Sequence, residues 1–109
     1  MKLVVSIVNG DDEHDLTDAL KKAGFQSTKI STTGGFLREG NATILMGVED
    51  DKLNRVLGII RDNCHRRTQY VNPLPPVMEP GELYMPNPVE VEVGGATIFV
   101  LNVERAERV

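Results

Sequence analysis

The chain has 109 residues, of which 40% are hydrophobic and 26% charged, with a formal net charge of −4 and a pI near 5.1. This length predicts a single domain spanning residues 1–109, and the acidic balance argues against binding DNA or RNA by phosphate neutralisation. No apolar stretch approaches the roughly 20 residues of a membrane helix, and the N-terminal apolar run is too short for a secretory signal, so we expect a cytoplasmic protein without membrane insertion.

The first third of the chain predicts a strand followed by a helix. Residues 3–8 form a short run rich in Val and Ile before Asn9-Gly10, which is typical of a buried strand. The acidic residues 11–15 suit the positive end of a helix dipole. Apolar residues then recur at the spacing of one helical face, at Leu16, Ala19, Leu20 and Ala23. Gly24 predicts the end of this helix.

The same pattern then repeats. Residues 25–33 and 42–48 predict two further strands, separated by a Gly-rich turn. The acidic residues 49–51 open a second helix, with apolar residues at Leu53, Val56, Leu57 and Ile60. Two strand–helix–strand units favour an α+β sandwich with both helices on one face of an antiparallel sheet.

Between Arg66 and Pro88 the composition changes, because all six prolines of the chain lie there. Proline lacks the backbone donor that a central strand needs, so this stretch predicts a long Pro-rich loop. Residues 89–93 then alternate Val and Glu, as a strand does, and Gly94-Gly95 predicts a two-residue hairpin turn. Residues 96–103 predict the returning strand.

The sequence offers little for catalysis or metal binding. His14 lies in an acidic, solvated stretch, and Cys64-His65 lacks the spacing of a zinc site. Cys64 is the single cysteine, so no internal disulfide can form. Neither a nucleophile–base motif nor a Walker loop is present. We therefore predict no enzymatic activity, no metal and no cofactor.

The Gly-rich segment 31–41 is the strongest candidate for a ligand site. The adjacent glycines, including Gly35, allow backbone N–H groups to approach an anion closely. Phe36 and Leu37 form an apolar tip that a base or a neighbouring subunit could cover, and aromatic rings stack on bases. Asn41 carries an amide that can pair with the edge of adenine. On these residues alone, a plain turn capped by Phe36 is the alternative.

Three stretches together resemble the PII-like cyclic di-AMP receptors: TTGGFLREGN at 32–41, MGV at 46–48 and PVEVEVGGAT at 88–97. The similarity spans nearly the whole chain. It implies a ferredoxin-like βαββαβ fold with a long Pro-rich loop and an extra hairpin strand. It also implies a homotrimer that binds cyclic di-AMP in each cleft between subunits. Such a protein is a signalling receptor without catalytic activity, whose loops change order for a downstream protein partner.

By position, the resemblance implies a ligand site made of Gln26, Thr28, Gly35, Phe36, Leu37, Asn41, Gly47 and Phe99. Thr28 would hydrogen-bond near the ligand phosphate, and Gly47 would leave room for an adenine. Phe36 and Leu37 would pack on that base, and Asn41 would hydrogen-bond its edge. Phe99 falls near the site on the last strand.

Two positions depart from the family pattern, which has Asn and Arg where this chain has Gly24 and Gln26. The missing Arg removes a charged donor and a stacking plane. A charge-assisted hydrogen bond contributes roughly 1.5–3 kcal/mol, or about one to two decades of affinity. We therefore expect weaker cyclic di-AMP binding or a different adenine nucleotide, with Lys29 or Arg38 as compensating cations.

Three alternatives stay open at this point. The first is a PII-type sensor of ATP or ADP that uses the same cleft. The second is a metal-tolerance protein of similar trimeric fold, against which the scarcity of Cys and His counts. The third is a subunit that binds no ligand and acts through its loops alone.

Overall fold

The fold is described here from a computed structural model over residues 1–30, 40–71 and 88–109. In chain order, its elements are β1 (Lys2–Asn9), α1 (Gly10–Lys22), β2 (Thr28–Ile30), β3 (Asn41–Val48), α2 (Leu53–Asn63, after a 3-10 turn at Asp50–Lys52), β4 (Arg67–Val71), β5 (Val89–Val93) and β6 (Ala96–Asn102).

Four strands form the main sheet in the order β2-β3-β1-β6, and every neighbouring pair is antiparallel. The two central strands, β1 and β3, are paired along their whole lengths, from Lys2 opposite Val48 to Asn9 opposite Asn41. Each half of the chain contributes an inner and an outer strand linked through a helix. This arrangement is the ferredoxin-like α+β fold, and the predicted fold class is confirmed.

The core lies between the sheet and the two helices. In β1 the residues Val4, Ser6 and Val8 are buried, whereas Val5 and Ile7 between them are only half-buried. Since side chains alternate across a strand, one face of the sheet is covered by helices and the other is open. The buried hydrophobic residues are Val4, Val8, Leu16, Leu20, Ala42, Ile44, Met46, Val48, Val56, Ile60 and Cys64.

Helix α1 begins and ends as the sequence predicts. Asn9 is the N-cap, and its side-chain oxygen accepts a hydrogen bond from the Asp11 N–H at 2.9 Å. Acidic residues occupy the first turn, where the helix dipole favours them. Gly24 follows the helix with φ of +89°, a conformation that glycine adopts without strain.

The predicted loop beginning at Arg66 is wrong at its N-terminal end. Residues Arg67–Val71 form strand β4, which pairs with β5 from Arg67 opposite Val93 to Val71 opposite Val89. Most of β4 is exposed on both faces, so it carries no period-two apolar pattern. Its pairing partner, β5, follows the Pro-rich stretch in the sequence. The strand therefore depends on a long-range contact that local sequence patterns do not predict.

The predicted hairpin between β5 and β6 is also wrong. Strand β5 pairs with β4 in a separate two-stranded sheet, whereas β6 pairs with β1. Gly94 and Gly95, with φ of +83° and +81°, lead the chain from one sheet to the other. The extra hairpin is therefore β4–β5.

The strand predicted over 25–33 is shorter in the structure, where β2 spans Thr28–Ile30. At its start, Phe25 packs against the core and is not part of the strand. At its end, residues 31–33 lie outside the described ranges.

Candidate functional site

Four of the predicted ligand residues lie on strands of the main sheet, and all four are on its open face: Thr28, Asn41, Gly47 and Phe99. One row crosses all four strands: Thr28 lies opposite Leu45, Leu45 opposite Val5, and Val5 opposite Phe99. Directly opposed residues of antiparallel strands project to the same face. The row therefore joins one edge of the sheet, at β2, to the other edge, at β6.

Three of the predicted residues, Gln26, Thr28 and Gly47, line a common cleft of about 490 Å³ at the β2 edge. All three are exposed. Among the atoms of the described chain, a Cβ built on Gly47 would meet only the Met1 Sδ, at 3.8 Å. The absence of a side chain at Gly47 thus leaves open space beside the Thr28 hydroxyl and the Gln26 amide.

This cleft is called the Thr28 cleft below. Its described lining is completed by Leu3, Ser27, Leu45 and Met46, and among these described residues no side chain is charged. Lys29 follows Thr28 but lies opposite the buried Ile44, on the helix side of the sheet. Its ammonium nitrogen is 3.4 Å from a Glu13 carboxylate oxygen on α1. Lys29 is therefore already paired, away from the cleft, and the compensating role expected for it is not supported.

Asn41 lies at the opposite end of β3, beside Asn9 of β1. It is half-buried and lines a different, polar cleft of about 400 Å³ between the sheet and the β4–β5 hairpin, together with Arg66 and Thr97. Asn41 and Gly47 are six positions apart on β3, a distance of roughly 20 Å at the usual rise per residue. Within one chain, Asn41 does not meet the Thr28 cleft.

Phe99 is also remote from that cleft within one chain. It lies on β6, and three strand spacings, roughly 14 Å, separate it from Thr28. Its side chain is 48% exposed and that of Leu101, on the same face of β6, is 49% exposed. The open face therefore ends at β6 in an uncovered apolar edge.

Gly35, Phe36 and Leu37 lie outside the described residues and stay predictions. The segment 31–39 that contains them leaves β2 after Ile30 and rejoins the described chain at Gly40. There the Gly10 N–H donates a hydrogen bond to the Gly40 carbonyl at 2.5 Å. A Cβ on Gly10 would lie 2.6 Å from the same oxygen, so only glycine permits this contact.

Cys64 is not built for nucleophilic chemistry. Its side chain is buried, and burial, followed by the nearby Asp12 carboxylate, raises the pKa of its thiol to about 11. At neutral pH the thiol is therefore protonated, whereas thiolate is the reactive and metal-binding form.

Over residues 1–30, 40–71 and 88–109, no three His, Cys, Asp or Glu side chains come together as a metal site. In those same ranges, no helix is long and apolar enough to cross a membrane.

Sequence reasoning missed an ion pair that joins α1 to β4. Asp12 is buried in the first turn of α1, and its Oδ2 accepts a hydrogen bond from the Arg67 Nη1 at 3.1 Å. The other carboxylate oxygen lies 3.0 Å from the Arg67 Nη2, so the two side chains form an ion pair. The hydrogen bond raises the pKa of the Arg67 guanidinium above its ordinary value. The sequence did not reveal this ion pair for two reasons. An acidic residue at position 12 is already explained by the helix dipole, and no local pattern links two residues that are 55 positions apart.

Sequence reasoning also missed Arg55, on the first turns of α2. The central carbon of its guanidinium lies 5.8 Å from the centroid of the Phe25 ring, within the range of a cation–π contact. Phe25 immediately precedes Gln26, so Arg55 sits close to the β2 edge. From the sequence alone, an arginine at position 55 is typical of the solvated face of a helix. Only the tertiary fold brings Arg55 towards the cleft.

Comparison with known proteins agrees with this fold. The chain is similar to a functionally unknown protein from Pediococcus pentosaceus ATCC 25745, whose crystal structure matches with a TM-score of 0.74 and 39% identity. The match covers 99% of this chain and 96% of that one. The sequence model of the cyclic-di-AMP receptor family matches residues 1–109. The chain therefore belongs to the cyclic-di-AMP receptor family.

Proposed function

We propose that this protein is a cytoplasmic PII-like signalling protein that binds cyclic di-AMP in the clefts between the subunits of a homotrimer. The observation that carries the proposal is the division of the site residues between two edges of one open sheet face. Gln26, Thr28 and Gly47 lie at the β2 edge, whereas Phe99 lies at the β6 edge. A ligand that touches both sets needs two chains.

The apolar character of the open face supports assembly. Phe99 and Leu101 are each about half exposed, and Leu3, Val5 and Leu45 on the neighbouring strands are only half-buried. Uncovered apolar patches and unpaired edge strands are features that proteins usually cover. A second copy that docks its β6 edge against this face would bury both, and the family resemblance favours three copies.

Each residue has a role that fits a cyclic dinucleotide. The Thr28 hydroxyl and the Gln26 amide would donate hydrogen bonds to a phosphodiester, since neutral donors bind its oxygens. The space above Gly47 would admit an adenine, with Phe36 and Leu37 packed on the base. Because Asn41 does not reach this cleft within one chain, the Asn41 amide that bonds the edge of the base would come from a neighbouring subunit. Nothing in this set removes or transfers a group, so the output is a change in loop order that a downstream protein reads.

A thermal-shift panel tests the ligand. We expect cyclic di-AMP to raise the melting temperature, whereas cyclic di-GMP, ATP and ADP do not, because only a ligand of the native state stabilises it by RT ln(1 + [L]/Kd). A shift with ATP or ADP alone would favour the PII-type adenine nucleotide sensor. A shift with copper or zinc alone would favour the metal-tolerance protein.

Phe36→Ala tests the site. Loss of a base-stacking partner typically costs roughly 1–3 kcal/mol, so cyclic di-AMP should bind about one to two decades more weakly. The exposed Tyr70 on β4 provides a matched aromatic control, and Tyr70→Ala should bind as the parent protein does. Equal affinities of Phe36→Ala and the parent would show that no adenine stacks there.

A further inference from the structure

The Thr28 cleft continues past its own lining. A second cleft of about 220 Å³ shares Gln26 and Gly47 with it, so the two clefts meet at these residues. The far wall of the second cleft is built by the turn before α2 and by the start of α2. It presents Lys52 and Arg55, with one acidic residue, Glu49.

Arg55 is available to an anion. Its side chain is exposed and held near the Phe25 ring. Across the described ranges, none of the ion pairs involves Arg55 or Lys52. Two other cations of the described chain are paired, since Lys29 pairs with Glu13 and the Met1 amino group lies 3.1 Å from an Asp50 oxygen. Arg38, the other compensating cation that the sequence suggests, lies outside the described residues.

A cyclic dinucleotide brings a charge that the Thr28 cleft does not match. Each phosphodiester carries one negative charge, and taking a charge out of water is costly unless it is paired. Within residues 1–30, 40–71 and 88–109, the side chains that line the Thr28 cleft are all uncharged. The cleft beside it holds two basic side chains against one acidic side chain.

We infer that Arg55 binds a phosphodiester of the ligand at the junction of the two clefts, and that Lys52 adds to the local positive potential. This inference rests on the proposed function and names a further binding residue for it. The planar guanidinium presents a fork of N–H donors suited to phosphate oxygens. The Phe25 ring keeps that group beside Gln26, so Arg55 supplies from α2 the positive charge that β2 lacks.

The neutral residue at position 26 is part of the same arrangement. Gln26 lines both clefts, so an arginine there would extend into the space that Arg55 faces. Two guanidinium groups at one phosphodiester would repel each other and duplicate one role. The gain in affinity from Gln26→Arg should therefore be larger when Arg55 is absent, which is the signature of two coupled sites.

Calorimetric titration of the intact protein with cyclic di-AMP tests this. Arg55→Gln should raise Kd by at least about tenfold, the lower end expected for a lost charge-assisted hydrogen bond. It should also reduce the dependence of Kd on salt, because one ionic contact is gone. Arg61→Gln, an exposed arginine on the same helix outside both clefts, is the matched control and should stay within about twofold of the parent. Gln26→Arg should restore most of the affinity in the Arg55→Gln background and add little to the parent.

The outcomes separate the two claims. If the parent protein binds cyclic di-AMP and Arg55→Gln binds it equally well, the role of Arg55 is wrong and the proposed function stands. If Arg55→Gln loses affinity with an unchanged salt dependence, the loss comes from packing on Phe25 and the inference is again wrong. If the parent does not bind cyclic di-AMP at all, the proposed function fails and the inference with it. Unliganded melting temperatures of the variants should match that of the parent, since Arg55 is exposed.

Discussion

Gly94 is the residue whose replacement the structure forbids most directly. It has φ of +83°, and an added Cβ would lie 2.6 Å from both the His65 carbonyl oxygen and the Arg67 Nη1. Gly95 has nearly the same φ, +81°, but its Cβ would meet only the flexible Arg66 side chain, at 3.0 Å. Both positions share the backbone cost of a positive φ, but at Gly94 the carbonyl cannot move aside cheaply.

Gly94→Ala should therefore lower the free energy of unfolding more than Gly95→Ala does. A left-handed conformation costs an ordinary residue roughly 1–2 kcal/mol, and we expect Gly94→Ala to lose at least about 1 kcal/mol beyond that. Urea denaturation of both variants measures the difference. Equal losses would mean that the Cβ at position 94 finds room, and that the contacts around the Asp12–Arg67 ion pair are looser than described.

The buried Cys64 thiol makes stability depend on pH in the alkaline range. Its pKa is raised from the ordinary 9.0 to about 11 in the folded protein. Because the folded state holds its proton more tightly, the associated stability is complete below pH 9 and is lost as pH rises from 9 to 11. The loss should be on the order of 2 kcal/mol.

Cys64→Ala isolates this contribution from the other groups that titrate in the same range. We expect the parent to lose more stability than Cys64→Ala between pH 8.5 and 10.5 or so, as measured by urea denaturation at each pH. The native thiol should also resist alkylation at neutral pH. Parallel curves for the two proteins, or rapid alkylation of the native parent, would contradict the burial of Cys64.

The Asp12–Arg67 ion pair connects two secondary-structure elements, because Asp12 lies on α1 and Arg67 on strand β4 of the β4–β5 hairpin. The Asp12 side chain is 10% exposed and the Arg67 side chain is 32% exposed. The burial of this pair is therefore intermediate between that of a surface salt bridge and that of a buried one. Removing one partner of a buried pair leaves an uncompensated charge, whereas an exposed pair contributes about 0–1 kcal/mol.

Arg67→Gln should accordingly destabilise the protein by roughly 2–3 kcal/mol, between the two limits. The adjacent Arg66 gives the control, because its contact with Glu92 is exposed and 3.9 Å long. Arg66→Gln should change the unfolding free energy by no more than about 0.5 kcal/mol. A double-mutant cycle with Asp12→Asn should recover the coupling, and a coupling near zero would show that the two side chains do not interact in solution.

The elements with local signals were predicted well, and those that depend on distant contacts were not. The strands β1 and β3 have apolar runs, and both helices have a single apolar face, so short windows suffice to find them. The acidic residues mark the first turn of α1, whereas those at 49–51 precede α2, which begins at Leu53 after the 3-10 turn Asp50–Lys52. Strand β4 has neither an apolar face nor a near neighbour in sequence. The glycines at 94 and 95 were recognised as a turn, but whether a turn joins paired strands depends on the rest of the sheet.

The candidate site divides in the same way. Gln26, Thr28 and Gly47 were proposed from the family resemblance, and the structure brings them to one cleft. Their separation from Phe99 follows from strand order, which the sequence pattern does not contain. Their separation from Asn41 follows from the length of β3, because Asn41 and Gly47 lie at opposite ends of that strand. Arg55 approaches the cleft only because the tertiary fold brings the start of α2 to Phe25, whose ring lies 5.8 Å from the Arg55 guanidinium.

For the whole molecule, the open sheet face should determine assembly. Leu101 is 49% exposed in the single chain and lies on the open face, in one row with Leu3 and Gly47. Leu101→Glu should fold but fail to assemble, because the carboxylate would be buried without a partner in the trimer. Light scattering should give the mass of a trimer for the parent and of a monomer for this variant, whereas Arg61→Glu on the outer face of α2 should remain trimeric. A parent protein that is monomeric at micromolar concentration would contradict the site between subunits.

Native mass spectrometry with added cyclic di-AMP distinguishes a ligand bound between chains from one bound by a single chain, because it counts chains and ligands in the same ion. We expect an assembly of three 12.0 kDa chains that takes up as many as three cyclic di-AMP molecules, with none retained by dissociated single chains. Retention of the ligand by single chains, or trimers that take up none at saturating concentration, would contradict it.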